Sequence, residues 1–330
     1  MTHDLLHGGA LDRMRAAFPD APEPWIDLST GINPWAYPIG DIPDASFCQL
    51  PTHGAHKACR QAIARSLQAP HESLVLAPGS ELLIRLLPAL IRPKTVAILS
   101  PTYGDHAAAW GRAGAEVIET ADPLLLAGQV DAIVICNPNN PDGRRFEPDA
   151  LLKTAANLAD RGGWLIVDEA YADLDPGLSL APFGGAGGLI ILRSFGKFFG
   201  LPGLRLGALI APETLRLEMQ AWLGVWPVSG PALHIGAQAC GDRRWQEETR
   251  RRLAEAKCLL DNILDQAGLK VTGGTDLFRL AEADSATTLW ERLAQKGVYV
   301  RRFGWTDGLV RIGLPENEQA EARLTAALTP

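Results

Sequence analysis

Six short apolar runs recur between residues 74 and 211, and they limit the possible folds more than any other feature of the chain. They are Leu74-Val-Leu-Ala, Thr95-Val-Ala-Ile-Leu, Ala132-Ile-Val-Ile-Cys, Trp164-Leu-Ile-Val-Asp, Leu189-Ile-Ile-Leu and Leu206-Gly-Ala-Leu-Ile-Ala. Each is short, rich in Val, Ile or Leu, and bounded by Gly, Pro or Asn. That pattern predicts strands buried on both faces. Helical periodicity fills most of the gaps, over Ser80–Ile91, Asp105–Arg112 and 148–161. Strand–helix alternation predicts an α/β fold with a mainly parallel sheet covered on both sides. Ligands of such sheets bind where the strands end.

After Pro231 the pattern changes. Helices are predicted over 233–239 and Arg243–Gln266, then short strands near Val271, 277–280, 298–301 and 309–313, with a helix at Ala286–Gln295. This predicts a smaller α+β domain. A chain of 330 residues, 47% of them hydrophobic, has core enough for two domains. The expected division is a Pro- and Gly-rich segment 1–43 bridging to the small domain, a large domain 44–230 and a small domain 231–330. The net charge of −7 argues against nucleic acid, which needs a basic face. The arginines of 243–252 alternate with Glu247 and Glu248 and read as a solvated helix face. Five widely spaced cysteines without a C-x-x-C predict neither a disulfide framework nor a metal site, and suit a reducing compartment. Residues 1–7 lack a leader pattern and no apolar stretch could span a bilayer, so the expectation is a cytoplasmic protein away from membranes.

Four features fall where strands should end. Asn137-Pro-Asn-Asn-Pro-Asp-Gly143 follows the strand ending at Cys136; turn formation explains part of it, but not three Asn and two Pro together. Asp168-Glu-Ala-Tyr171 puts an acid at the mouth of an apolar strand, to act either as a helix cap or as a partner for a cation. Lys197 lies among aromatic and glycine residues in Ser194-Phe-Gly-Lys-Phe-Phe-Gly-Leu-Pro-Gly-Leu-Arg205. Its head either snorkels to the surface or is desolvated, and desolvation favours imine chemistry. Gly79, Ser80 and Glu81 open an apolar helix, as an ordinary cap or as a phosphate cradle. Together they supply the parts that pyridoxal phosphate requires: a lysine for the imine, an acid for the pyridine nitrogen, and N–H groups with Ser and Arg for the phosphate.

The lysine segment resembles the cofactor motif of the fold-type I, class I/II aminotransferases. Asn137–Gly143 is similar to that family's N-P-N-N-P-T-G loop, with Asp142 for Thr, and Asp168–Tyr171 to its D-E-A-Y motif. Val310-Arg311-Ile-Gly resembles its carboxylate-binding arginine. The resemblance runs from Gly79 to Gly313 and implies roles. Lys197 would carry pyridoxal phosphate as a Schiff base and move protons at Cα. Asp168 would keep the ring nitrogen protonated, Tyr171 and Asn140 would hydrogen-bond the ring oxygen, and Tyr103 would stack on the ring. Ser80, Glu81 through its backbone, Ser194 and Arg205 would hold the cofactor phosphate, with Gly79 shaping the turn. Arg311 would grip the substrate carboxylate.

His7-Gly-Gly9 and Asp27-Leu-Ser-Thr-Gly-Ile-Asn33-Pro resemble the threonine-phosphate decarboxylase and histidinol-phosphate aminotransferase branch. The decarboxylase side implies conversion of L-threonine O-3-phosphate to (R)-1-amino-2-propanol O-phosphate and CO2 for cobalamin biosynthesis, in a homodimer. His7, Asn33 and Arg302 are then candidates for the substrate phosphate. The alternatives are a histidinol-phosphate or aromatic aminotransferase, and a binding subunit assisting cobalamin assembly. The branch's tyrosine that reaches the partner's cofactor is absent from Leu50-Pro-Thr-His53-Gly-Ala-His56, leaving either His53 or His56 as a substitute, or no such contact.

Overall fold

In the computed structural model, which describes residues 8–329, the strands in chain order are β1 Ile26–Leu28, β2 Leu74–Ala77, β3 Thr95–Leu99, β4 Glu116–Thr120, β5 Ala132–Cys136, β6 Trp164–Asp168, β7 Leu189–Ser194, β8 Gly207–Ile210, β9 Val271–Thr275, β10 Phe278–Glu282, β11 Val298–Phe303 and β12 Thr306–Gly313. Seven of them form one sheet in the order β2-β8-β7-β6-β5-β3-β4. Strand β8 runs antiparallel to both β7 and β2, and the remaining pairs are parallel. β2, β5 and β8 are buried at every residue, as expected of strands covered on both faces. One layer of core joins Leu83, Leu87, Trp110, Leu215 and Met219 from three helices to Val96, Val134, Ile166 and Leu209 from the sheet.

The second sheet has the order β1-β11-β12-β10-β9. β1 pairs with β11 in parallel and the other pairs are antiparallel. β1 was not expected from sequence; it is three residues long. β4 was also not expected. It lies at the sheet edge with no residue fully buried, so its apolar signal is weak.

The chain divides into two compact units. One holds residues 37–140 and 144–246; the other holds 1–36, 141–143 and 247–330. The divisions expected from sequence fall at 43 and 230. The helix Gly230–Gly241 falls in the larger unit because it packs along the helix His53–Leu67. Gly236 marks the close approach: a Cβ there would lie 2.4 Å from Leu206 Cδ2 and 3.2 Å from Cys59 Sγ.

No helix among the described residues is long and apolar enough to cross a membrane.

Candidate active site

In the larger unit, the ends of β5, β6 and β7 lie side by side, because Cys136 pairs with Asp168 and Asp168 with Leu192. This register brings the loop after β5, the acid ending β6 and the lysine loop after β7 to one edge. Asp168 is 5% exposed. Its Oδ1 accepts the Ala170 N–H at 3.0 Å and its Oδ2 meets His106 Nε2 at 3.1 Å. His106 comes from the helix Asp105–Arg112 and is wholly buried. Burial disfavours its charged form, but hydrogen bonds to Asp168 and Cys136 outweigh that and raise its pKa to about 10. The cation that Asp168 needs is thus an imidazolium, held from behind. Sequence reasoning missed His106; the only available signal was a histidine one turn past Tyr103. The Cys136 sulfur, a His106 nitrogen and an Asp168 oxygen lie within 4.8 Å of one another.

Lys197 is half-buried, with Nζ 6.0 Å from the centroid of the Tyr171 ring. Its loop is fixed by aromatic packing on both following residues. Phe199 stacks on Trp245 at 5.7 Å, and Phe198 meets the same ring edge-on at 5.6 Å. The Phe199 carbonyl accepts the Tyr37 N–H at 2.8 Å.

Asn137 and Asn139 are buried and serve the loop itself. Asn137 bonds both the N–H and the carbonyl of Phe146, and Asn139 bonds the Pro101 carbonyl and the Thr102 hydroxyl. Asn140, half-buried, follows directly and remains a candidate for contact with a ligand. Tyr103 donates to Glu81 Oε2 at 3.2 Å and stands edge-on to His106 at 6.1 Å. Glu81 also pairs with Arg85, so its side chain is engaged and only its backbone is available to an anion.

The turn before the helix Ser80–Ile91 forms a cradle. Gly79 has φ +89°, and a Cβ there would lie 2.7 Å from Arg205 Nη2. Arg205 itself sits at φ +52°, a left-handed conformation costing a non-glycine residue about 1 kcal/mol. Its Nη1 donates to the Pro202 carbonyl at 3.0 Å, which holds the guanidinium over the helix start. Gly207, paired with Ser194, presses against the same turn: a Cβ there would be 2.5 Å from the Ser80 nitrogen. Ser194, Ser80, Arg205 and the free N–H groups of a helix start therefore converge. Such a set binds a phosphate. With Lys197 and the His106-backed acid on neighbouring strand ends, the residues present fit pyridoxal phosphate.

Arg311 belongs to the smaller unit and is 7% exposed. Its Nη2 donates to the Ser29 carbonyl at 2.7 Å, and its guanidinium lies 4.9 Å from the Phe278 ring centroid. Arg301 is its Cα partner across β11 and β12, so both guanidiniums project from one face. Arg302, expected at the substrate phosphate, projects from the opposite face, with its guanidinium 4.9 Å from the Trp290 ring. Side chains alternate along a strand, so one residue's difference decides the face. Asn33 is buried, accepts the Trp35 N–H at 2.9 Å and lines a cavity of about 340 Å3 with Asp27, Gly313 and Asn317. His7 lies outside the described residues. His53 is exposed and His56 half-buried at the start of the helix His53–Leu67, which Thr52 caps. Burial, aided by Arg60, lowers the pKa of His56.

Known proteins share this sequence and architecture. The chain is 40% identical over 331 residues to a threonine-phosphate decarboxylase of Sinorhizobium sp., covering 99% of this chain and 98% of that protein. It is also 40% identical to the threonine-phosphate decarboxylase of Pseudomonas aeruginosa, over 98% of this chain and 97% of that one. The crystal structure of histidinol-phosphate aminotransferase from Sinorhizobium meliloti in complex with pyridoxal-5'-phosphate superposes with a TM-score of 0.82 at 16% identity, covering 96% of this chain and 93% of that one. A family model for aminotransferase class I and II matches residues 44–326, so the chain belongs to that family.

Proposed function

We propose that the protein is a pyridoxal-phosphate-dependent lyase that decarboxylates L-threonine O-3-phosphate to (R)-1-amino-2-propanol O-phosphate and CO2. The cofactor, when bound, supplies an electron sink for the bond broken at Cα. Lys197 would hold the cofactor and deliver the single proton that replaces CO2 at Cα. Asp168, backed by His106, keeps a proton on the ring nitrogen. Tyr171 and Asn140 would hydrogen-bond the ring oxygen, Tyr103 would cover the ring, and Ser80, the Glu81 N–H, Ser194 and Arg205 would take the phosphate. Arg311 binds the substrate carboxylate, and Arg301, rather than Arg302, its phosphate. Orientation of the carboxylate then selects which Cα bond breaks.

The observation that carries this reading is the pairing of Arg301 with Arg311 on one strand face. Asp27 on the same face offsets part of this positive charge, and two guanidiniums side by side suit a ligand with two anionic groups. Threonine phosphate presents a carboxylate and a phosphate together. The two 40% identical relatives of nearly equal length support the same choice.

Purified enzyme supplied with L-threonine O-3-phosphate should release CO2 without 2-oxoglutarate. Formation of glutamate from 2-oxoglutarate and histidinol phosphate, with no CO2, would identify an aminotransferase instead. The reading extends to cobalamin biosynthesis, to a cytoplasmic location suited to five free cysteines, and to a homodimer. Phe47, Leu50, Val225 and Trp226 are more than half exposed, and the helix Ala45–Cys48 packs on the helix Gly230–Gly241 that Val225 and Trp226 lead into. Such a patch favours burial against a second copy.

A further inference from the structure

The smaller unit contains a hydrogen-bonded chain that none of the roles above uses. Ser29 is fully buried and all of its polar groups are engaged. Its hydroxyl donates to Asp27 Oδ1 at 2.5 Å, and its N–H donates to the same oxygen at 2.9 Å. The hydroxyl oxygen accepts the Gly9 N–H at 2.8 Å. The carbonyl accepts Arg311 Nη2 at 2.7 Å. One residue therefore joins the amino-terminal Gly8-Gly9 turn to the arginine proposed for the substrate carboxylate.

Two glycines make this possible. A Cβ on Gly8 would lie 2.5 Å from the Ser29 carbonyl oxygen, and one on Gly313 would lie 2.7 Å from the Thr30 carbonyl oxygen. Both contacts are with backbone, which cannot swing aside. The segment after β1 is thus pressed between the Gly8-Gly9 turn and the strand that bears Arg311. Asp27 lies on the Arg301–Arg311 face, since it pairs with Tyr299 two residues before Arg301. Burial, the largest effect, leaves the pKa of Asp27 raised, and its bonds to Ser29 and the charge of Arg311 offset only part of that. A buried acid is held there against its desolvation cost, and its nearest partner is a serine.

We propose that Asp27 and Ser29 are positioning residues that set the direction of the Arg311 guanidinium and tie the Gly8-Gly9 turn to it. The proposal rests on the reading of Arg311 as a substrate ligand. Asp27 Oδ1 accepts hydrogen bonds from both the N–H and the hydroxyl of Ser29, so the serine hydroxyl has only lone pairs left for Gly9. This fixes its orientation, and with it the carbonyl that holds one arm of Arg311. The remaining guanidinium edge is thereby aimed before substrate arrives, which lowers the ordering cost of binding.

The test is a variant series on the pyridoxal-phosphate-loaded enzyme with L-threonine O-3-phosphate as substrate. Asp27→Ala and Ser29→Ala should each raise KM about tenfold, the usual effect of losing a hydrogen bond in a charged network, with kcat within about threefold of wild type. Cofactor absorbance should not move, and the thermal midpoint should fall by only a few degrees. Asp27→Asn keeps an acceptor in place and should bring KM back to within about threefold of wild type. Hydrogen exchange at the Gly9 amide should accelerate in Ser29→Ala. Unchanged KM in both alanine variants, an equal fall in kcat, or unchanged Gly9 exchange would each overturn the proposal. Wild-type enzyme that releases no CO2, with Gly9 exchange still dependent on Ser29, would sink the assigned reaction and leave the tie itself standing.

Discussion

Asp168 and His106 meet at 3.1 Å with both side chains shut away from water. The histidine's pKa of about 10 in the fold, against an ordinary 6.5, has a consequence for stability. Its stabilising charge is fully present below about pH 6.5 and disappears as pH rises through about 10. In cofactor-free protein, the loss of thermal stability in His106→Gln should be largest near pH 6 and shrink toward pH 10, as read by calorimetry across that range. Arg193 offers a second case. It is buried between Glu169, at 2.9 Å, and Asp173. Arg193→Leu leaves two buried carboxylates without their cation, so it should destabilise the fold by about 3–5 kcal/mol in urea titration. Lys197, Asp168 and Tyr171 stand out in the sequence because each sits in a dense local motif after an apolar run. His106 does not, because its significance depends on a contact 62 positions away. Which face Arg301 or Arg302 takes could not be read from the sequence, because strand parity is invisible until the register with β12 is fixed.

Six of the seven strands of the larger sheet were legible because strands buried on both faces are apolar almost throughout, whereas the edge strand β4 was not. Periodicity could not reveal that β8 runs against its neighbours, since an apolar run reads the same in either direction. That reversal positions the turn proposed to hold the cofactor phosphate: Gly207 of β8 pairs with Ser194 of β7 and presses on the turn between Gly79 and Ser80. In Gly207→Ala the added carbon would meet three backbone atoms at 2.5 to 3.0 Å. The cost should be roughly 1–3 kcal/mol of stability. Affinity for pyridoxal phosphate should fall at least about tenfold, measured by titrating the cofactor-free variant.

On the largest scale, the apolar side chains of Phe47, Leu50, Val225 and Trp226 set a prediction about assembly. Sedimentation should give about twice the 35.5 kDa of one chain, and Trp226→Glu should shift the species toward monomer and reduce CO2 release. The two-part organisation was legible from the change in pattern after Pro231. Its boundaries were not, because the helix Gly230–Gly241 is apolar on the side that meets the helix His53–Leu67, and composition does not say which neighbour a helix chooses. One arrangement in the larger sheet also bears on how the chain reaches its final form. Ser194 and Gly207 are ladder partners, so the twelve residues 195–206 between them, Lys197 included, are pinned at both ends by a single local pairing. The other pieces of the pocket depend on crossovers that bring distant strands together, which is slow. The lysine hairpin needs only a short loop to close, so it is free to form early and wait for the rest of the pocket to assemble around it.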